Sequence, residues 1–273
     1  MSETYKAYFG LNREPFIADI HFKDILVTPE LEGIFSRIRY AVRLGNIALI
    51  TGEVGAGKST ALRWSMEQFH PSEYKTLWIT ATSGSILEFY RQVLRELDHE
   101  ASSMSKAFYT RTIRNEVKEL IKEKGQKPIL VVDEASLLRL EVLVELHTIT
   151  QFESDSKPWL PMILAGQMNL ESTLRYRKAA PLASRIVTRG VLSSITKEEM
   201  EEYLNHHLSI AGLKTSPFSD AALTAIYQGS GGIYRTINHL ARGSLIAAEA
   251  ENVNEITAEH VRIASSEILS PVK

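Results

Sequence analysis

Gly52-Glu53-Val54-Gly55-Ala56-Gly57-Lys58-Ser59 is a complete G-x-x-x-x-G-K-[ST] stretch, and a short apolar run, 47–50, stands directly before it. A loop with glycines at 52, 55 and 57 can turn its backbone N–H groups inward around phosphate oxygens, because no Cβ blocks the approach or the positive φ angles it needs. Lys58 is then placed to reach the β- and γ-phosphates and Ser59 to offer a hydroxyl to Mg²⁺. The segment after it, 60–69, has helical character and would set a helix N-terminus beneath the anion. A strand before and a helix after are the context that separates such a site from a chance glycine-bearing turn. The expectation is a nucleoside-triphosphate site spanning Gly52, Glu53, Val54, Gly55, Ala56, Gly57, Lys58, Ser59 and Thr60.

A second strand supplies what the loop lacks. Pro128-Ile129-Leu130-Val131-Val132-Asp133-Glu134 is an apolar run short enough for a buried parallel strand, ended by two carboxylates. In an open α/β sheet such an end points into the ligand crevice. Asp133 is therefore a candidate for the Mg²⁺ shell and Glu134 for polarising an attacking water. Carboxylates at a strand end also serve as helix N-caps. Asp followed by Glu, paired with a phosphate loop, argues for hydrolysis rather than nucleotide sensing alone.

Composition bounds the remaining possibilities. The 273 residues are 44% hydrophobic and 23% charged, enough to bury one large core or two modest ones. No apolar run approaches the ~20 residues of a membrane span, and no amino-terminal signal pattern is evident. The expectation is a cytoplasmic protein with no membrane association. Zero cysteines exclude disulfides and thiolate metal sites. The formal net charge of −2 means that any nucleic-acid surface must be local.

Strand-like runs recur at 47–50, 76–80, 129–132, 162–165 and 186–192, separated by segments with helical periodicity. That alternation predicts a parallel sheet with crossover helices. The first helix is expected over 29–44, opened by Thr28 and Pro29 and closed by Gly45. Two more are expected at 83–97 and 109–124. After Ser194 the pattern is helical alone, with Thr196 capping an acidic first turn, then segments at 219–227, 232–249 and 257–269. No internal repeat or low-complexity segment is found.

An α/β core followed by a small helical lid resembles the AAA+ ATPases, and nearly the whole chain is similar to the branch containing ExeA-type secretion ATPases and TnsC/TniB-type transposition regulators. The resemblance implies an N-terminal segment near the nucleotide at 1–28, an AAA+ α/β core at 29–194 and a lid at 195–273, with ATP and Mg²⁺ as the bound groups. Tyr8-Phe9-Gly10-Leu11 and Pro15-Phe16 are similar to that branch's opening, which implies a place near adenine; an aromatic clasp that only packs is the alternative. Leu164-Ala165-Gly166-Gln167 resembles the sensor-1 region, which makes Gln167 a candidate to orient water or the γ-phosphate. Pro181-Leu182-Ala183-Ser184-Arg185-Ile186 resembles the Ser-Arg-Cys element of clamp loaders, with isoleucine in place of cysteine. There the arginine faces the neighbouring subunit's nucleotide, which implies Arg185 as a finger in trans. Arg175, Arg177 and Arg189 are its competitors. Gly231-Gly232-Ile233-Tyr234-Arg235 is similar to the sensor-2 Gly-x-x-Arg, which implies that Arg235 meets the γ-phosphate in cis.

Secretion relatives usually continue past the lid into a membrane span and a cell-wall-binding part, and initiator relatives into a winged helix. This sequence stops at Lys273 with neither, so the resemblance implies a compact transposition regulator: a ring or helical filament of identical chains on duplex DNA, with little sequence preference, that recruits or stimulates a transposase. A stretch at 106–127 carries seven basic residues against three acidic, with Lys106, Arg111, Arg114 and Lys118 near helical spacing. These are the candidate DNA contacts; a solvated helix face is the alternative. A cytoplasmic secretion-type ATPase acting with a membrane partner, and a monomeric NTP-dependent switch or chaperone, are the other classes left open.

Overall fold

A computed structural model describes residues 4–17, 19–100 and 102–267. The chain forms two compact units: Val27–Val54 with Lys58–Leu192, and Met1–Leu26 with Gly55–Gly57 and Ser193–Lys273. Helices and strands follow one another as α1 (Thr4–Phe9), α2 (Pro29–Leu44), β1 (Ile47–Gly52), α3 (Lys58–Glu67), β2 (Tyr74–Thr80), α4 (Ile86–Glu96), α5 (Lys106–Lys122), β3 (Lys127–Asp133), α6 (Leu140–Ile149), β4 (Met162–Gly166), α7 (Asn169–Leu174), α8 (Ala180–Ala183) and β5 (Ile186–Leu192). Four helices complete the described chain: α9 (Lys197–Ile210), α10 (Asp220–Ser230), α11 (Tyr234–Ala250) and α12 (Ala258–Ser266).

The sheet is parallel throughout, in the order β2-β3-β4-β1-β5. Ile47 and Leu49 of β1 join Leu77, Ile79, Leu130, Val132, Met162 and Leu164 in one core under α4, α5 and α6. The alternate residues Ala48, Ile50, Ile129, Val131 and Ile163 are buried as well, on the side where α2 and α3 meet the sheet. Burial on both faces is why these strands are unbroken apolar runs rather than alternating ones. β5 is an edge strand, and its register with β1 shifts between Ile47 and Ala48. There Val187 is the extra residue, a bulge of the kind that interrupts an edge.

Local chemistry sets several boundaries. The α2 N-cap is Thr28, whose Oγ1 accepts the Leu31 N–H at 3.2 Å, a contact worth about 1 kcal/mol. Leu31, Ile34, Ile38, Ala41 and Val42 form the buried stripe. The helix ends at Gly45, φ +69°, where a Cβ would stand 2.0 Å from the Pro158 carbonyl oxygen, so no other residue fits. α4 begins later than the sequence pattern suggests, because Ser85 and Glu88 close a capping box. α5 begins earlier, at Lys106, with Ser105 as cap. α11 starts at Tyr234 rather than 232 because Gly231 and Gly232 both have positive φ. α1, α6, α7 and α8 are additional to the segments that periodicity marks. In the expected last helix, 268 and 269 lie outside the described residues.

In the other unit, Tyr5, Phe9, Leu11 and Phe16 share one core with Met200, Leu204, Leu208, Phe218, Ile226, Ile237, Leu240, Leu245 and Val261. The Asn12 N–H donates to the Ala211 carbonyl at 2.8 Å. Arg13 Nε donates to the Ile210 carbonyl at 2.8 Å, and His206 Nε2 to that of Asp24 at 2.6 Å. The N-terminal aromatics are thus core residues of the helical unit. His207 sits among them, 4.3 Å from the Tyr203 ring and 5.8 Å from that of Phe16, centroid to centroid. Burial, then the charges of His206 and Arg13, push the His207 pKa down to about 4.

This burial has a signed consequence for stability. Between about pH 6.5, the ordinary value, and about pH 4 the unfolded chain binds a proton at His207 that the folded chain excludes. The associated stability is therefore complete above that window and lost as pH falls through it. Urea unfolding at pH 7 and pH 4.5 should show a His207-dependent loss on the order of 2 kcal/mol. In His207→Leu that component of the pH dependence should vanish.

Candidate nucleotide site

Strand β1 delivers the phosphate loop. All six of its residues are buried, and α3 opens at Lys58. Lys58 Nζ donates to the carbonyls of Gly52 at 3.0 Å and Glu53 at 2.8 Å. The side chain is buried, 6% exposed, so its ammonium lies folded into the loop's own mouth, where phosphate oxygens could exchange for carbonyls. Glu53, Val54 and Ser59 are exposed, Thr60 is half-buried and Ala56 buried. The loop tip, Gly55–Gly57, falls in the unit that also contains Arg235. There the Arg235 N–H donates to the Gly55 carbonyl at 3.2 Å. Gly55 has φ +86°, and a Cβ on it would stand 2.7 Å from Arg235 Cβ. Arg235 is the second residue of α11, and its side chain is exposed.

The carboxylates stand at the end of β3. Asp133 closes β3, paired with Thr80; its backbone carbonyl accepts the Ala81 N–H at 2.8 Å. Its side chain is 6% exposed, and Oδ1 accepts the Glu134 N–H at 2.8 Å. Glu134 lies in the left-handed region, φ 54° and ψ 32°, a conformation that costs an L-residue about 1–2 kcal/mol. Strain of this kind concentrates at functional sites. From there a short turn, Ala135–Leu137, carries Ser136, whose Oγ accepts the Gln167 N–H at 3.3 Å. The turn after Glu134 is thereby joined to the end of β4. Among the described residues no group of three or more His, Cys, Asp or Glu could hold a metal ion. Ser59 and Asp133 offer one hydroxyl and one carboxylate, a donor set compatible with Mg²⁺, which keeps waters and phosphate oxygens in its shell.

Arg185 lies elsewhere. Its carbonyl accepts the Ile47 N–H at 3.0 Å, at the start of β1, whereas Gly52 ends that strand. Five residue steps of strand, about 16 Å at 3.3 Å each, separate the two, more than one arginine side chain spans. Arg185 NH2 instead donates to Asp155 Oδ2 at 2.5 Å. Arg175, Arg177 and Arg189 are exposed. Arg189 NH1 lies 3.7 Å from Glu171 Oε2, and Thr51 Oγ1 donates to Glu171 Oε1 at 3.0 Å. Glu171 and Arg189 border, with Arg175 and Ile186, a cavity of about 380 Å³. Sequence reasoning gives no sign of Glu171, which is one acidic residue of a short, unpatterned helix.

The four basic candidates on α5 do not form a row of open cations. Lys106 Nζ donates to Glu145 Oε1 at 2.8 Å, a bond that raises its pKa. Arg114 NH2 donates to the Thr148 carbonyl at 2.6 Å, and its buried Nε has no hydrogen-bond partner among the described residues. Within the single chain both are paired with α6. Arg111 is exposed and Lys118 half-buried.

Residues 42–174 match the family model of an AAA domain. General secretion pathway protein A of Aeromonas hydrophila is 29% identical over 267 residues, 97% of this chain and 48% of that protein, so the chain spans about half that relative's length. ATP-dependent target DNA activator B of Escherichia phage Mu is 26% identical over 241 residues, 84% of this chain and 69% of its own. The crystal structure of Cdc6p from Pyrobaculum aerophilum matches with a TM-score of 0.74 at 18% identity, covering 94% of this chain and 71% of that one. At that identity the likeness concerns the fold alone.

The loop geometry is open to a direct check. In Gly55→Ala the positive φ and the Arg235 Cβ both oppose a methyl group. Titration with a fluorescent ATP analogue should show affinity lowered at least about tenfold, a loss of roughly 1.4 kcal/mol, while far-ultraviolet circular dichroism stays that of the parent.

Proposed function

From the AAA-domain match and the secretion-named and target-DNA-activator relatives, we propose that the chain is an AAA+ ATPase working as an assembly of identical chains that couples ATP hydrolysis to duplex DNA. Lys58 and the loop N–H groups from Gly52 to Thr60 hold the phosphates, Glu134 orients and deprotonates the attacking water, and Gln167 aligns that water against the γ-phosphate. Ser59 and Asp133 are the residues that would hold Mg²⁺, which when bound neutralises charge on the phosphate oxygens. Arg235 contacts the γ-phosphate in its own chain. Arg185 serves the next one: its place at the start of β1, a strand's length from Gly52, supports action in trans. That observation carries the oligomeric reading.

The DNA-directed role rests on the phage relatives, ATP-dependent target DNA activators B of phages Mu and D108. On this reading the chain gathers on target DNA as a ring or filament and recruits or stimulates a transposase in the cytoplasm. No helix among the described residues is long and apolar enough to cross a membrane. A second reading, a secretion-type ATPase working through a separate membrane partner, is favoured by the fuller coverage of this chain by the Aeromonas relative. Neighbouring genes would separate the two readings, as would DNA binding.

Two variants test the ATP chemistry. Lys58→Ala should abolish ATP binding, whereas Glu134→Gln should bind ATP as the parent does and stop turning it over. Mixed in equal amounts, Arg185→Ala and Glu134→Gln chains should recover activity that neither has alone, because some interfaces then carry both an intact finger and an intact carboxylate. Hydrolysis by Glu134→Gln at the parent rate would remove Glu134 from the mechanism.

For DNA, fluorescence anisotropy with duplexes of unrelated sequence should show binding that requires ATP and falls steeply with salt. Replacing Arg111 and Lys118 together by Ala should weaken binding alike on every duplex and lessen the salt slope by up to about 2. Basal ATPase should be unchanged. Absence of ATP-dependent binding by the parent at low salt would favour the secretion-type reading.

A further inference from the structure

Arg185 is fixed at its backbone: its N–H donates to the Leu182 carbonyl at 3.0 Å and its carbonyl accepts from Ile47. Only its side chain is at liberty to choose a partner, and in the single chain that partner is Asp155. Asp155 lies between α6 and β4, in a turn pinned at Phe152, which is 1% exposed, packs 5.6 Å from the Trp159 ring and bridges Lys157. Within it Glu153, Ser154 and Asp155 are consecutive left-handed residues, φ 47°, 58° and 66°, with no glycine among them. L-residues avoid this conformation because Cβ crowds the following carbonyl, and a run of three persists only where surrounding contacts over-determine it. Ser156 supplies one such contact, its Oγ donating to the Glu153 carbonyl at 2.7 Å.

We propose that Asp155 is a positioning residue for Arg185, holding the guanidinium on its own chain until a second chain's nucleotide takes it. The inference rests on the trans reading of Arg185 and adds to it a latch that assembly must open. A bare guanidinium at that surface would sample many rotamers; the carboxylate gathers it into one and screens its charge. Asp155 is half exposed and Arg185 one-fifth exposed, so the pair is a weak one. An exposed pair shifts an equilibrium by about two- to fivefold, enough to set a threshold and too little to block assembly.

The test compares Asp155→Asn and Asp155→Gly with the parent. Both residues tolerate positive φ, so both remove the carboxylate while keeping the turn, and the two should agree. The protein concentration giving half-maximal specific ATPase should fall about two- to fivefold, with the plateau rate unchanged. Sedimentation with ATP should show assembly shifted by the same factor. In an Arg185→Ala background neither Asp155 variant should move the sedimentation midpoint, since no latch remains to open. A merely structural Asp155 would change the melting temperature and leave the midpoint where it was. If the parent's activity rises with concentration and Arg185→Ala is inactive, yet the Asp155 variants leave the midpoint unmoved or shift it equally without Arg185, the latch is overturned and the trans reading stands. Parent activity flat with concentration overturns both.

Discussion

Parallel pairing is the constraint on which the rest depends. In a parallel sheet every strand ends at the same edge, so the ends of β1, β3 and β4 bring the Gly52 loop, the Asp133–Glu134 pair and Gln167 to one line. No long-range fitting of loops is needed for that convergence. The strand order β2-β3-β4-β1-β5 sends the chain from β1, next to the edge, across to β2 and back, and leaves β1 flanked on both sides. The strand beneath the phosphate loop is consequently among the best supported in the molecule. The same geometry puts anything at a strand's beginning, Arg185 included, on the far edge.

What could be read from the sequence was what local chemistry determines. The 29–44 helix has both boundaries written in it, Thr28 at one end and Gly45 at the other. β5 is legible as a β-branched run ending before a capped helix. α5 is harder because Ser102, Ser103 and Ser105 all precede it and any of them could cap; Ser105 does. α6 is harder still: Leu140-Glu141-Val142-Leu143-Val144-Glu145-Leu146 is apolar enough to suit a buried strand, and it is a helix packed against α4, α5 and α8.

The site divides along the same line. Its loop and acidic pair are contiguous motifs that sequence alone can nominate, and Gln167 and Arg235 are nominated through their resemblance to sensor elements. The partners that decide whether a cation is available are not contiguous. Arg114 ends on a carbonyl of another helix, Lys106 on Glu145 and Arg185 on Asp155, and nothing in helical spacing announces any of them. Charge counting over 106–127 treats all seven basic residues alike, whereas the fold commits two of the four candidates to α6. The N-terminal aromatics make the same point for apolar groups: Phe9 and Phe16 pack into the helical unit's core.

Glu171 shows how a residue without a motif can still bear on the site. α7 follows directly from Gln167 at the end of β4, and its Glu171 takes the Thr51 hydroxyl next to Gly52. Thr51 is fully buried, and a buried hydroxyl without an acceptor costs about 1–3 kcal/mol. The carboxylate therefore has a structural duty before any other, and its second oxygen is left to face Arg189 on the edge strand. One short helix thus spans the ends of β4 and β1 and reaches β5. The backbone that leads into the Gly52 loop is braced by a carboxylate, which in turn answers to a cation at the sheet's exposed edge.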